Sequence, residues 1–516
     1  MSIWRRGLYT ACLVLLLGAS GCATIDLEYP RSESFAYTDT DDTLIGRRLA
    51  GLTADNPDTA GFFLLGDGID ALGARLLMAE HAERSIDLQY YLLTDDLVGR
   101  AVVRALLRAG DRGVRVRFLL DDIQTQGYDA GLAALDAHPN IEVRIFNPFA
   151  GRSTRVGDAV FDFARINRRM HNKSFTVDNQ ITIVGGRNIA AEYFAARHDV
   201  NFADLDVLGI GPVVTDVSHM FDLYWNSAGA LPVPAFARMP DDPKQALAGL
   251  RDILEADFEV LLQTPYAEAV KLKLSAFVEN GGPVDYIWAP YRLIYDSPDK
   301  ADVAKKAEAD SIMEPLAETV KNAREELVVI SPYFVPLKSG IEALARLEER
   351  GVDVIVVTNS LAANNHSIVH SGYAPARKPL LEHGVELYEY KHLASVAGVD
   401  RGGPHAPIAT LHTKAFMVDR EEIFIGSFNW DPRSAHINTE LGVIIESAEL
   451  GETVHAGLIH ALRENTYEVV LTEDGRLAWL DHAGDGVVQY DTEPGTSFWR
   501  RFGVSLMRLL PIKGQL

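Results

Sequence analysis

The sequence predicts an α/β protein built from two homologous halves. A short pattern occurs twice with identical internal spacing: His171, Lys173, Asp178, Gly185 and Asn188, then His412, Lys414, Asp419, Gly426 and Asn429. The same succession of strand, helix, Arg-Gly-Val turn and strand precedes each copy, and the two sets stand about 240 residues apart. With 516 residues, 47% of them hydrophobic, the chain can bury a core of that size.

In the first half, Ser85 to Tyr91 alternates and is rich in apolar residues, as a strand does. Leu97 to Ala109 has helical periodicity, and Arg112-Gly113 turns the chain into a buried strand ending at Asp121. In the second half, Leu327 to Tyr333 is the strand, Gly340 to Glu349 the helix, and Arg350-Gly351 the turn into a strand ending at Val357. Within each motif, Lys173 to Asp178 and Lys414 to Asp419 alternate polar and apolar residues. His and Lys two apart therefore share one strand face. Ile181–Val184 and Ile423–Ile425 form the return strand, and the Gly pair then lets the backbone turn closely before the Asn. The predicted units are a signal segment 1–21, a polar tether 22–50, a first half 51–235, a helical connector 236–312 and a second half 313–516. The connector carries helical stretches at Pro243–Leu262 and Tyr266–Glu279.

The net charge is −23, which argues against a general nucleic-acid binder, since that would show a basic footprint. The two cysteines, Cys12 and Cys22, lie near the N-terminus, so the body has neither a disulfide framework nor a Cys-rich metal site. Arg5 and Arg6, the apolar run Leu8–Ala19, and Ala19-Ser-Gly-Cys22 resemble a bacterial lipoprotein signal with Cys22 as the lipidated residue. Ala19 departs from the usual Leu, and a secretory signal or an uncleaved anchor are the rival readings. Ala23 resembles the residue that follows the Cys in lipoproteins directed to the outer membrane. The expected location is a bacterial envelope, membrane-anchored and facing the periplasm. The C-terminal Phe498–Leu510 is both apolar and basic, as fits a helix on an anionic bilayer or one packed against the protein.

His and Lys side by side suit a phosphate diester. A neutral imidazole can attack phosphorus, a second imidazolium can protonate the leaving alkoxide, Lys neutralises the non-bridging oxygens and Asn adds a donor. One motif holds one His, so the two roles need both copies. Asp178 and Asp419 fit support of the hairpin turn better than contact with substrate. His-x-Lys is not ligand spacing, and a cation beside a metal is unfavourable, so no metal and no cofactor is expected. Arg165, Arg168 and Arg169, ahead of His171, fit either attraction of an anionic head group or a solvated loop. His366 and His370 fit either the cleft lining or polar packing.

The two motifs resemble the HKD signatures of the phospholipase D superfamily. Gln89-Tyr-Tyr91, Arg112-Gly-Val-Arg-Val-Arg-Phe-Leu-Leu-Asp-Asp122, Tyr224-Trp-Asn-Ser227, Ser331-Pro-Tyr-Phe-Val-Pro336, Thr358-Asn-Ser-Leu361 and Asp431-Pro-Arg-Ser434 resemble the bacterial cardiolipin synthases of the C type. The resemblance implies mixed sheets flanked by helices, and halves related by a pseudo-twofold axis that brings both motifs into one metal-independent site. It implies His171 as nucleophile and His412 as general acid and then base. Acidic partners orient the imidazoles: Glu440 after the second motif, and Asp206 as its counterpart, with Asp204 the alternative. The implied partners are a membrane surface, phosphatidylglycerol and a second phospholipid, and no nucleic acid is expected. The implied reaction is transfer of a phosphatidyl group to a phospholipid. Hydrolysis to phosphatidic acid is the alternative, and a nuclease fits less well.

Overall fold

The computed structural model describes residues 25–152, 155, 158, 161–271, 285–393, 408–484, 486–509 and 513–515. The signal segment, Cys22 and the end of the Tyr266–Glu279 stretch lie outside them.

Each half is a mixed sheet with the same order. In the first, Ser85–Tyr90 pairs in parallel with Arg115–Asp121, which pairs in parallel with Ile141–Phe146. On its other side, antiparallel neighbours follow in the order Ser174–Val177, Ile181–Gly185, Asp206–Ile210 and Ala60–Leu65. In the second, Glu326–Ile330 takes the place of Ser85–Tyr90, with Asp353–Asn359 and Glu386–Tyr390 in parallel on one side. Ala415–Val418, Glu422–Gly426 and Leu441–Glu446 follow antiparallel on the other.

The crossover helices show why these segments fold as they do. Leu97–Asp111 starts at Asp96, whose carboxylate accepts from the amides of Val98 and Gly99, and it buries Val98, Val102 and Leu106 against the sheet. Past its end Gly113 adopts a φ of 94°, and Gly351 adopts 85° at the matching turn of the second half. The preceding arginines also match: Arg112 donates to Ala79 O at 2.7 Å and Arg350 to Ala323 O at 2.5 Å.

The halves share an apolar core. Phe62, Val184 and Val207 of the first sheet belong to the same buried cluster as Val328, Ile425 and Val443 of the second. A short parallel pair, Val200–Ala203 with Ile408–Leu411, adds backbone bonds across the boundary.

Two predicted segments differ from expectation. Connector 236–312 has its helix at Pro243–Leu262, but it also supplies strand Ile287–Ala289 to the first sheet and strand Tyr291–Tyr295 to the second. Each sheet leaves an unpaired edge at that point, and two short strands in succession cover both. The tether is not free either. From residue 25 it lies along the first half, because buried arginines need acceptors: Arg144 donates to Ser32 O at 2.6 Å and Arg117 to Ser34 O at 2.8 Å. The chain is already helical from Leu44.

Candidate active site

The motifs sit just before equivalent interior strands of the two sheets, Ser174–Val177 and Ala415–Val418, and lie at the boundary between the halves. His171 and Lys173 precede the strand that begins at Ser174, rather than lying on it. Their backbone is held by the opposite half: the His171 amide donates to Thr439 O at 2.9 Å, and the His412 amide donates to Ala203 O at 2.7 Å. The next residue in each case supplies a carboxylate. Glu440 Oε2 lies 2.8 Å from His171 Nδ1, and Asp204 Oδ2 lies 2.6 Å from His412 Nδ1. Each imidazole is thus oriented by an acid from the other half. A proton on Nδ1, held by the carboxylate, leaves Nε2 of His171 as the acceptor nitrogen, while Nε2 of His412 lies beside Lys414 Nζ.

The expectation that Asp206 is the counterpart of Glu440 is corrected here; Asp204 is. In the sheets Gly185 faces Asp206 while Gly426 faces Gly442, so Asp206 corresponds to Gly442. Two residues before these positions, just ahead of each strand, stand Asp204 and Glu440. Asp206 instead pairs with buried Arg75 at 2.8 Å and accepts from the Arg187 amide at 3.1 Å. The glycines after the return strand serve this packing. A Cβ on Gly185 would lie 2.2 Å from Asp206 Oδ1, and one on Gly186 2.2 Å from Asp204 Oδ1. They admit two carboxylates at close approach rather than making a turn. In the second copy Ser427 stands at the position of Gly186, and its hydroxyl donates to Glu440.

The six motif side chains are all buried. Lys173 Nζ donates to His171 O at 2.6 Å and Lys414 Nζ to His412 O at 2.5 Å. Lys414 Nζ is also 3.1 Å from His412 Nε2. Asn188 Nδ2 contacts the Tyr193 hydroxyl at 2.9 Å and Asn429 Nδ2 the Ser434 hydroxyl at 3.5 Å. The Oδ1 atoms of both Asn residues, and Glu440 Oε1, are buried without a partner among the described residues. Amide oxygen and nitrogen are interchangeable by a flip, so each Asn can instead accept from its hydroxyl and turn an N–H outward. The N–H groups so freed suit the non-bridging oxygens of a phosphodiester.

Burial sets the electrostatics. It lowers the His171 imidazole to about 4, against the upward pull of Glu440. It holds His412 well below the ordinary range, helped by the Lys414 and Lys173 charges. It lowers Lys173 to about 7 and Lys414 to about 8. Burial pushes both carboxylates up. It prevails at Asp204, which is raised, whereas at Glu440 the His171 charge and hydrogen bond outweigh it and the group is lowered. Lys414 acts on His171, and Lys173 and His171 act on His412, so the half-sites lie within one another's fields.

Other expected residues fall elsewhere. Asp178 accepts from the amides of Glu83, Arg84 and Ser85, and Asp419 from those of Arg324, Glu325 and Glu326. Both sit at positive φ in the hairpin turn and tie it to the start of the central strand, away from the reacting groups. Arg169 is buried against Asp121, Arg165 pairs with Asp162, and Arg168 donates to Lys300 O. These arginines hold the loop before His171 in place. His370 packs into a buried cluster with Arg377 and Glu493. His366 lies against Tyr333, with ring centroids 5.5 Å apart. Residues the motifs alone did not single out complete the walls: Tyr91 edge-on to His171 at 4.8 Å, Tyr193 edge-on to His412 at 4.9 Å, and Phe202 stacked on His412 at 5.3 Å. Only Tyr91 lay in a segment that carried a signal, Gln89-Tyr-Tyr91.

The arrangement places two carboxylate-held imidazoles, two lysines and two amides, buried and within one another's fields, at the boundary between the halves, a set suited to in-line displacement at phosphorus through a covalent intermediate. The sequence profile of the family described as "Cardiolipin synthase, PLD-like domain" matches residues 77–225 and 316–460. Cardiolipin synthase C of Escherichia coli (strain K12) is 41% identical over 467 residues, covering 90% of this chain and 97% of that one. A cardiolipin synthase of Halalkalibacterium halodurans is 25% identical over 445 residues, covering 84% of this chain and 72% of that one. The crystal structure of phosphatidylserine synthase from Haemophilus influenzae Rd KW20 shares the fold, with a TM-score of 0.53 and 13% identity over 82% of this chain and 91% of that one. With over half of the chain matched by the profile and a relative this similar along nine-tenths of it, the chain belongs to the phospholipase D-like cardiolipin synthase family.

Proposed function

We propose that this protein is a phosphatidyltransferase that makes cardiolipin from phosphatidylglycerol and a second phospholipid. His171 Nε2 attacks the donor phosphorus, the bond from phosphorus to the head-group oxygen breaks, and His412 delivers a proton to the departing alkoxide. The phosphatidyl group then rests on His171. His412, now neutral, takes the proton of the acceptor lipid's hydroxyl, that oxygen attacks phosphorus, and His171 is released. Lys173, Lys414, Asn188 and Asn429 hold the non-bridging oxygens. An anionic phosphate raises the pKa of the adjacent His412, which readies it as the acid.

The observation that carries the reading is the crossed pairing of His171 with Glu440 and His412 with Asp204. The assignment of His171 as nucleophile is favoured by its ionised partner Glu440, whereas Nδ1 of His412 is shared between Asp204 and Lys414 at 2.9 Å. The enzyme works at a membrane surface of the bacterial envelope, on the periplasmic side, anchored through lipidated Cys22. Ala19-Ser-Gly-Cys22 supports that placement. No helix among the described residues is long and apolar enough to cross a membrane.

The test is mass spectrometry of lipids from cells lacking other cardiolipin synthases and expressing the native chain or its His171→Ala form. Cardiolipin present with the native chain and missing with the variant is the expected result. Phosphatidic acid alone would replace transfer by hydrolysis, and an unchanged lipid profile would refute both.

A further inference from the structure

The helix Phe498–Met507 and the turn after it leave an apolar face uncovered. Phe498, Trp499, Phe502, Leu506 and Leu509 recur at helical spacing and are exposed, Trp499 at 75% and Leu509 at 79%. The rings of Phe498, Trp499 and Phe502 touch, so the patch is continuous. The opposite side is seated on the protein through Val504, which is 2% exposed, and Arg500 donates to Asn364 O at 3.0 Å. An exposed patch of this kind marks an interaction surface.

Its place and its charge identify the occupant. Asn364 leads into Asn365 and His366. The Tyr333 hydroxyl donates to Asn365 at 3.0 Å, and the Tyr333 ring faces His412 at 6.5 Å. At the far end of the segment Gln515 accepts from Asn167, four residues before His171, at 2.7 Å. The C-terminal stretch is therefore tied to the loops that lead to His412 and to His171. In a chain of net charge −23, residues 494–516 carry Arg500, Arg501, Arg508 and Lys513 and no acid. Tryptophan and phenylalanine on one face with arginine beside them is the composition of a helix lying in a lipid interface.

We propose that Phe498–Leu509 docks on an anionic phospholipid bilayer and thereby sets the mouth of the site against the lipid head groups. The inference rests on the phospholipid reading above and adds the surface by which substrate is reached. A helix in this position lets a lipid enter the site with its acyl chains still in the bilayer.

The test uses the full chain with vesicles of phosphatidylglycerol and phosphatidylethanolamine brominated on their acyl chains. Bromine quenches tryptophans that enter the interface, and comparison with Trp499→Phe isolates this one residue from the other tryptophans. The native chain should be quenched and the variant should lose most of that quenching, with phosphatidylcholine vesicles having a much weaker effect. Equal quenching of both chains overturns the proposal. The triple variant Phe498→Ser, Trp499→Ser, Phe502→Ser should turn over vesicle lipid about tenfold more slowly, while turnover of dispersed short-chain phospholipid, which also reports folding, stays unchanged. Unchanged turnover on vesicles overturns the proposal, as does a native dimer that the triple variant loses together with an absence of Trp499 quenching on vesicles, which would make the face a contact between copies. Quenching needs no turnover, so Trp499-dependent quenching in a chain that transfers no phosphatidyl group would refute the enzymatic reading and support the docking face.

Discussion

Glu440 Oε2 lies 2.8 Å from His171 Nδ1, although the two residues are 269 positions apart. Burial pushes the Glu440 carboxyl up, but the His171 charge and hydrogen bond prevail and keep it ionised. Glu440→Gln keeps the shape and removes that charge. Phosphatidyl transfer should then fall by about 100-fold or more, the scale of general acid–base catalysis, with an unchanged far-UV circular dichroism spectrum. A kcat close to native would show that the pair does not orient the nucleophile.

Asp204 and Asp206 lie two residues apart and should respond oppositely. Asp204→Asn disrupts the contact to His412 and should lower kcat with little change in unfolding midpoint. Asp206→Asn strands Arg75, whose side chain is 2% exposed, and should cost about 3–5 kcal/mol in denaturant unfolding, the typical penalty for breaking a buried ion pair. Reversed outcomes in paired kinetic and urea measurements would return to Asp206 the role of orienting an imidazole.

Gly186 admits Asp204. In Gly186→Ala the new Cβ would sit 2.2 Å from Asp204 Oδ1, so the carboxylate must move away from its place beside His412. A displacement near 1 Å in an oriented catalytic group costs roughly 100-fold in rate. Steady-state kinetics should show the loss mainly in kcat, and a native kcat would mean that His412 does not depend on Asp204.

The free enzyme should have a bell-shaped kcat/KM profile displaced toward acid. His171, lowered to about 4, becomes a neutral nucleophile as pH rises through that value. Lys173 and Lys414, lowered to about 7 and about 8, lose the charges that hold phosphate as pH rises further. The rate constant should climb through about pH 4, peak on the acid side of the ordinary His range because His412, held well below that range, loses the proton it must donate, and fall further from about pH 7 upward. An acid limb centred near the unperturbed His value of roughly 6.5 would argue that burial does not control His171 in solution.

Much of the site could be read along the chain. The duplicated spacing located His171, Lys173 and Asn188 with their counterparts, because a hairpin has a fixed period and copies of it keep the same offsets. The Arg-Gly-Val turns were legible because a left-handed residue at the end of a helix favours glycine, and Gly113 and Gly351 take that conformation. The carboxylate for His412 was less accessible. Asp204 and Asp206 share a type, a neighbourhood and a strand face, and only the pairing of Gly185 with Asp206 and of Gly426 with Gly442 separates them.

The sequence by itself determined the two halves and the matched offsets of their His, Lys and Asn residues, since each depends on local spacing. Tertiary structure alone decided that each imidazole takes its acid from the opposite half. It also decided that the connector closes both sheets and that the arginines before His171 serve the loop rather than the substrate. Those outcomes depend on how two sheets pack across a shared apolar core. That packing is set by surfaces assembled from residues hundreds of positions apart, which no short-range pattern records.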